Sequence, residues 1–398
     1  VTTSAQVRED DIYLKFIGDT NTDGSGYWSE CAGPGVETTI DPATMPYILQ
    51  RTDSTKMSLG QYTWSQREVG DETTNAKPTF IGKKISKVLF HRNRLVLLSG
   101  SNIILSQPGD LSNFWNRTAL TFSGVDRIDI SCSSSSPNEL VNGVEMNTGL
   151  VVFSGNAQYL LSTDSDVLNP ETAKVYSIST YNFNINVDPI SLGTSLAFID
   201  NAGKYSRFFE LVNITREQQP EILEPSKVVH RLLSKDINSL ANSRENSFVF
   251  ACKLGTNTVT GFKYYNAEKR LQGAWFTWNF AKNISHQFII NDEYYIVSSE
   301  NELCKVQLID TTSRPFITQG GTDFDVHLDY YQAIANSSLS YNATTNITTL
   351  TLPSDTPLNN GDNVAVIVTE SNNNRGRYEK STVNNGAVSL TNDWSSDP

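Results

Sequence analysis

An apolar strand, a short polar turn and a second apolar strand recur along this chain, and that repeat constrains its fold more than any single residue. The copies NRLVLLSGSNIILS from Asn93 and NTGLVVFSGNAQYLLS from Asn147 each place a leucine (Leu95, Leu150) ahead of a Ser-Gly pair (Ser99-Gly100, Ser154-Gly155). Looser copies begin at Ser195, Ser247 and Glu293. The equivalent strand positions are Leu95, Leu150, Leu196, Phe248 and Tyr294, roughly 50 residues apart. A strand-rich repeat of that period predicts an all-β fold of small sheets arranged radially, a β-propeller. A propeller is a shape rather than a chemistry, so function must be read from what decorates it.

The 398 residues exceed one ordinary core but suit a propeller with appended modules. We expect an N-terminal β module over 1–75, the propeller over 76–312 and a small β-sandwich or barrel-like domain over 313–398. In the first module Asp11–Gly18 and Met57–Asp71 read as strand and turn, and Pro42–Arg51 as irregular. The best helical pattern is Pro225–Ala241, with Val229, Leu232, Leu233 and Ile237 on roughly one face, expected as one short helix between blades. In the last module, turn signals such as Asn359-Asn360-Gly361-Asp362 and Asn384-Asn385-Gly386 separate five or six short apolar stretches. The chain starts at Val1 and stops in a polar run, which reads as a piece of a longer protein.

Net charge is −12. A sequence-independent nucleic-acid binder needs surplus Lys and Arg to displace counterions from phosphates, and this chain has a deficit. The charge reads either as plain solubility or as a surface past which a polyanion slides without sticking. Cys31, Cys132, Cys252 and Cys304 are far apart, with no CxxC or Cys/His cluster, so free buried thiols are expected and a zinc site is not. No apolar run reaches membrane-span length.

The sharpest metal-like pattern is DTNTDGSGYWSE. Asp19, Asn21, Asp23 and Glu30 alternate as calcium ligands would, with Gly24 at the turn. A strand precedes it where an EF-hand has a helix, so a hairpin turn rich in Asp, Asn and Gly is the favoured reading. No glycosidase box, nucleophile elbow or phosphate-binding glycine loop occurs, so no catalytic residues and no cofactor are expected. His91 is assigned a strand-edge or inter-blade hydrogen bond. Arg92 and Arg94 are expected to pair with Asp110 and Asp126, and Trp275 and Trp278 to pack in a blade core.

Taken in order, several stretches carry a family resemblance: GYWSE at Gly26–Glu30, TMPYILQR at Thr44–Arg51 and W-x-x-R-x-x-G-D at Trp64–Asp71. After them come FHRNRLVLLSG, LSQPGDLSNFW, GLVVFSGNAQYLLS, the Asn169–Ala173 turn, LGTSLAFIDNAGKYSRFFE and GAWFTWNF. The chain resembles the tail nozzle (tail tubular protein B) family of short-tailed bacteriophages, the podoviruses. The resemblance implies a non-enzymatic virion tail component. It also implies a homohexameric ring, contacts with a tail adaptor protein and tail fibres, and a channel that viral DNA traverses without sequence-specific binding. The competing reading is a glycan- or receptor-binding propeller of a virion or cell surface. The loop SQPGDLSNFW does not recur in the other repeats, and its Gln107, Asp110, Asn113 and Trp115 are the candidate subunit contact.

Overall fold

The computed structural model describes residues 12–20, 24–133, 138–201, 203–212, 221–266, 270–291, 293–300, 303–307, 316–319, 322–325, 334, 336–354, 356, 358–367 and 378–394. The chain divides into two compact units, Val1–Leu308 and Ile309–Pro398. Both are built from short antiparallel strands.

The first unit opens with two hairpins, Leu14–Gly18 with Gly26–Glu30 and Tyr47–Arg51 with Met57–Gln61. Tyr47–Arg51 is thus a strand rather than an irregular segment: Tyr47 and Ile48 favour extended backbone, and Pro42 starts a single 3-10 turn just before it. Five antiparallel meander sheets follow. Sheet I is Lys87–His91, Arg94–Ser99, Asn102–Leu105 and Ile128–Ser131; sheet II is Leu140–Met146, Gly149–Ser154, Gln158–Thr163 and Ala173–Ser179. Sheet III is Ile190–Ser191, Ser195–Asp200, Arg207–Val212 and Glu221–Leu223; sheet IV is Ser239–Ser243, Phe248–Cys252, Thr258–Asn266 and Arg270–Asn279. Sheet V has three described strands, Ile284–Ile290, Glu293–Ser298 and Leu303–Gln307. All five repeat positions read from the sequence fall on the second strand of their sheets.

Each sheet stacks on the next. Leu150 and Val152 of sheet II pack with Val96 and Leu98 of sheet I, whereas Val151 and Phe153, pointing the other way, pack with Leu196 and Phe198 of sheet III. Ala197 and Ile199 then meet Val249 and Ala251, and Phe250 and Cys252 meet Tyr294 and Ile296. Strands buried on both faces need near-continuous apolar runs, which is why LVLLS and GLVVFS lack the usual polar alternation. The first strands of successive sheets also contact one another: sheet I to II, II to III, III to IV and IV to V.

The helical pattern at Pro225–Ala241 yields only a 3-10 turn, Pro225–Val229. Leu233 and Ile237 enter the core between sheets III and IV, but neighbouring strands and loops take the backbone polar groups. Thr260 donates to Leu232 O, Asn184 and Asn201 donate to Ile237 O, and Ile237 N donates to Ser206 Oγ. With those groups satisfied from outside, no α-helical ladder is required.

The second unit holds a hairpin, Phe316–Gln319 with Thr322–Asp325, and a five-stranded sheet. The sheet order is Leu339–Asn342, Ile347–Thr351, Ala387–Thr391, Tyr378–Asn384, Asn363–Ile367. Leu350, Val383, Val388, Leu390 and Trp394 form its core. Trp394 is fixed there by Nε1 donating to Thr391 O at 2.7 Å and its backbone N donating to Thr348 Oγ1 at 2.9 Å.

Candidate assembly junction

Two stretches that are distant in sequence, 64–75 and 106–119, meet on the outer face of sheet I, and 26–32 is tied to both. The loop from Ser106 is set by local chemistry. Gly109 takes φ +78°, and Asp110 Oδ1 accepts from both N and Oγ of Ser112. Asn113 Oδ1 then accepts from Trp115 N at 3.0 Å. These turns drop Phe114 and Trp115 onto Leu97 and Ile104 of sheet I, beside Ile40, Met45, Trp64 and Phe80.

Trp115 is held on each side. Its Nε1 donates to Ser65 O at 3.0 Å, and Gln107 Nε2 donates to its carbonyl at 2.8 Å. The Arg67 guanidinium lies over its ring, 4.6 Å from the centroid. Arg67 is itself buried and pairs with Glu72 through Nη2 at 2.7 Å. Its Nε and Nη1 are buried without hydrogen-bond partners, so the indole face supplies the compensation they have.

Polar ties stitch the same stretches together. Both Glu30 oxygens accept from the Thr118 hydroxyl, and Oε2 also accepts from Ala119 N at 3.0 Å. Asn75 donates to Val69 O and Asn116 O and accepts from Asn116 N. Burial acts to raise the Asp71 pKa. Hydrogen bonds from the backbones of Thr73 and Thr74, the Tyr13 hydroxyl and the Thr74 hydroxyl outweigh that and leave it below the ordinary value.

This geometry corrects part of the expected subunit contact. Gln107 and Trp115 are buried inside their own chain, where their polar atoms are consumed by Ser65, Arg117 and each other. Asp110 and Asn113 are half-buried and occupied in turns, leaving Gly109 and Leu111 at the surface. Arg94 is also a correction. It does not pair with carboxylates; Nη1 donates to Ser106 O and Asp126 O, and Nη2 to Gly124 O and Leu168 O. Burial lowers its pKa, opposed by the nearby Asp126 charge.

His91 does bridge sheets, its Nδ1 lying 3.0 Å from Glu145 Oε1. Burial pushes its pKa down, partly offset by Glu145. Trp275 stacks on Phe262 at 4.5 Å and Trp278 on Phe250 at 5.3 Å, both within the sheet cores. The calcium-like pattern ends on the strand Gly26–Glu30; Asn21 and Asp23 lie outside the described residues, and Glu30 holds Thr118 and Ala119. Among the described residues no group of three or more His, Cys, Asp or Glu could hold a metal ion. Cys132 and Cys252 are buried free thiols whose pKa values burial pushes up to about 12, Cys31 is free and half-buried, and the Cys304 side chain lies outside the described residues.

A second set of polar ties runs between the first strands of successive sheets. Ser86 donates to Leu140 O, joining sheets I and II. Asp188, just before sheet III, accepts from Lys87 at 2.7 Å and from Asn142. Asn242 and Arg244 donate to Ser191 O, and Gln287 donates to Ser239 Oγ at 3.0 Å. Each neighbouring pair of sheets is therefore latched at this end as well as packed. Sequence reasoning missed these residues and Arg67, because nothing local marks a polar strand-end residue whose partner is tens of residues away.

Stacked, latched sheets with a pinned N-terminal segment define an all-β protein of repeated antiparallel sheets. Its family follows from comparison: the bacteriophage nozzle protein family matches residues 1–397, and the chain belongs to it. It is a structural component of a phage tail, part of the virion, and not an enzyme. It is 26% identical over 306 residues to the tail tubular protein gp12 of Escherichia phage T7. That match covers 72% of this chain and 38% of the relative, so the chain spans well under half the length of the curated relative it matches. Among solved structures, Kluyveromyces lactis Hsv2 aligns with TM-score 0.37 and 8% identity over 81% of this chain and 88% of that one. PorZ of Porphyromonas gingivalis aligns with TM-score 0.31 and 11% identity over 84% and 42%. Likenesses at that level carry no argument about this chain.

Proposed function

We propose that this chain is a wall subunit of a podovirus tail nozzle, a ring through which viral DNA passes into the host cell. Membership of the nozzle family is the observation that carries this reading. The five stacked sheets are blades of a β-propeller spanning 76–312, a reading supported by their regular meander and by the contacts between their first strands. Residues 1–75 are its N-terminal β module, and 313–398 a small distal domain of β-sandwich or barrel type. Six copies form the ring, which meets a tail adaptor protein on one side and carries tail fibres.

The physical demands on such a wall are rigidity and low adhesion. Packed sheets latched by hydrogen bonds resist shear. A net charge of −12 puts carboxylates in excess of the cations that would trap phosphates, so DNA slides without sequence-specific binding. Electron microscopy of the protein and of particles tests the proposal. Sixfold rings at one capsid vertex are expected; a protein that stays monomeric and selectively binds one glycan on an array would overturn it. A continuous Lys/Arg lining of the channel would refute the low-adhesion mechanism.

A further inference from the structure

A basic cleft opens where the chain enters sheet I. Its volume is about 430 Å³, and residues 44–46 and 83–88 line it. Lys83, Lys84 and Lys87 are among them, and no Asp or Glu is. Lys87 is engaged by Asp188, but Lys83 and Lys84 are exposed and make no ion pair among the described residues. In a chain with net charge −12, two adjacent unpaired cations over a cleft without carboxylates are complementary to an acidic surface. Apolar surface flanks them. Val88 and Phe90 pair with Leu97 and Leu95, on the face of sheet I that Phe114 and Trp115 cover at Leu97 and Ile104. That cover stops short of the first strand, where Val88 and Phe90 are 42% and 56% exposed.

A loop of sheet II has the opposite charge. It joins the strands Gln158–Thr163 and Ala173–Ser179. Asp164 pairs with Lys174, but Asp166 and Glu171 are exposed and make no ion pair among the described residues. Val167, between them, is 64% exposed. Asn169 Oδ1 accepts from the backbone N of Glu171 and Thr172, and Thr172 Oγ1 donates to Val167 O. The loop is thus shaped within its own chain, which lowers the cost of ordering it on a partner. Arg94 donates to both Gly124 O and Leu168 O, and so sets the segment bearing Phe122, 69% exposed, beside this loop.

Cleft and loop lie at opposite ends of the strands. Ser99 Oγ donates to Lys84 O, which puts the cleft where the first strand of sheet I begins. Arg94, facing the end of that strand, holds Gly124 and Leu168. One chain therefore cannot bring its own loop to its own cleft. We propose that the acidic 164–171 loop and Phe122 of one copy dock on Lys83, Lys84, Val88 and Phe90 of a second copy of this chain. Asp166 and Glu171 meet the unpaired lysines, and Val167 and Phe122 meet the open apolar pair. The two surfaces differ, so the contact is heterologous and passes from copy to copy until a ring closes. The inference rests on the ring reading above and assigns it a contact.

Two double variants of the intact chain test it: Lys83→Glu with Lys84→Glu, and Asp166→Lys with Glu171→Lys. All four positions are exposed, so circular dichroism and melting below the assembly concentration should match the parent chain. Each double variant should raise the concentration needed for assembly at least about tenfold by analytical ultracentrifugation. The second makes the chain less negative, so relief of general charge repulsion alone would favour its assembly instead. A chain carrying all four changes again has opposite charges across the contact and should assemble within about threefold of the parent concentration. If the parent chain assembles but the double variants assemble equally well, or the combined variant is no better than either, the contact is wrong while the ring stands. If the parent chain is monomeric at every concentration, the ring and the contact fall together.

Discussion

Replacing Trp115 by alanine separates a clamp within one chain from a contact between chains. The side chain is 2% exposed and packs with Phe114, Trp64 and Leu97. Removing a buried Trp costs about 3–5 kcal/mol. The loss also strips the ring from over Arg67, whose Nε and Nη1 have no other compensation, and leaves Ser65 O without its donor at 3.0 Å. At about 2 °C per kcal/mol for a unit of this size, the first unit should melt on the order of 6–10 °C lower by scanning calorimetry. Trp115→Phe keeps a ring for Arg67 and loses the indole N–H, so it should cost only about 1–2 kcal/mol. Limited proteolysis should also cut the 106–118 loop faster in the alanine variant. A melt unchanged within 1 °C, combined with loss of ring assembly, would refute the reasoning and return Trp115 to the subunit surface.

Other outcomes follow from the same geometry. The His91 pKa is lowered in the fold by burial, so the unfolded chain takes up its proton first as pH falls below about 6.5. Stability should be full above that pH and decline beneath it by up to about 1.4 kcal/mol per unit, a slope that His91→Gln should flatten in melts from pH 7.5 to 5.5. Iodoacetamide at pH 8 should leave Cys132 and Cys252 unmodified in the native protein, since both are buried with pKa values pushed up to about 12; mass spectrometry of native and urea-unfolded samples gives the contrast. Gly261→Ala should destabilise by about 1–3 kcal/mol in chemical unfolding, because a Cβ there would sit 2.1 Å from the Phe276 ring. Phe276→Leu in the same chain should recover much of that loss.

The repeat was legible because it is a local pattern. Leu95, Leu150, Leu196 and Phe248 mark second strands buried on both faces, which must be apolar along most of their length, and Tyr294 marks the corresponding strand of sheet V, buried on alternate residues. His91 was placed between sheets for a similar reason: it lies in a strand, flanked by charge, with nothing nearby to serve as catalytic partner. The helical pattern at Pro225–Ala241 misled because apolar spacing says where side chains want to go, not which groups satisfy the backbone. Thr260, Asn184 and Asn201 supply those partners from outside the segment.

By itself the sequence determined the all-β class, the five-fold recurrence of an apolar strand pair and the nozzle family. The first two depend on composition and on periodicity over a few residues, the family on an ordered series of motifs, and a linear string records all three. Only the tertiary structure decided that Trp115 and Gln107 face inward, that Glu30 accepts from Thr118 and Ala119, and that Arg94 meets carbonyls. Those outcomes hang on polar partners far apart in sequence. A hydrogen bond is short and directional, so its existence depends on where the folded backbone places both groups, and no local pattern of residues states that in advance.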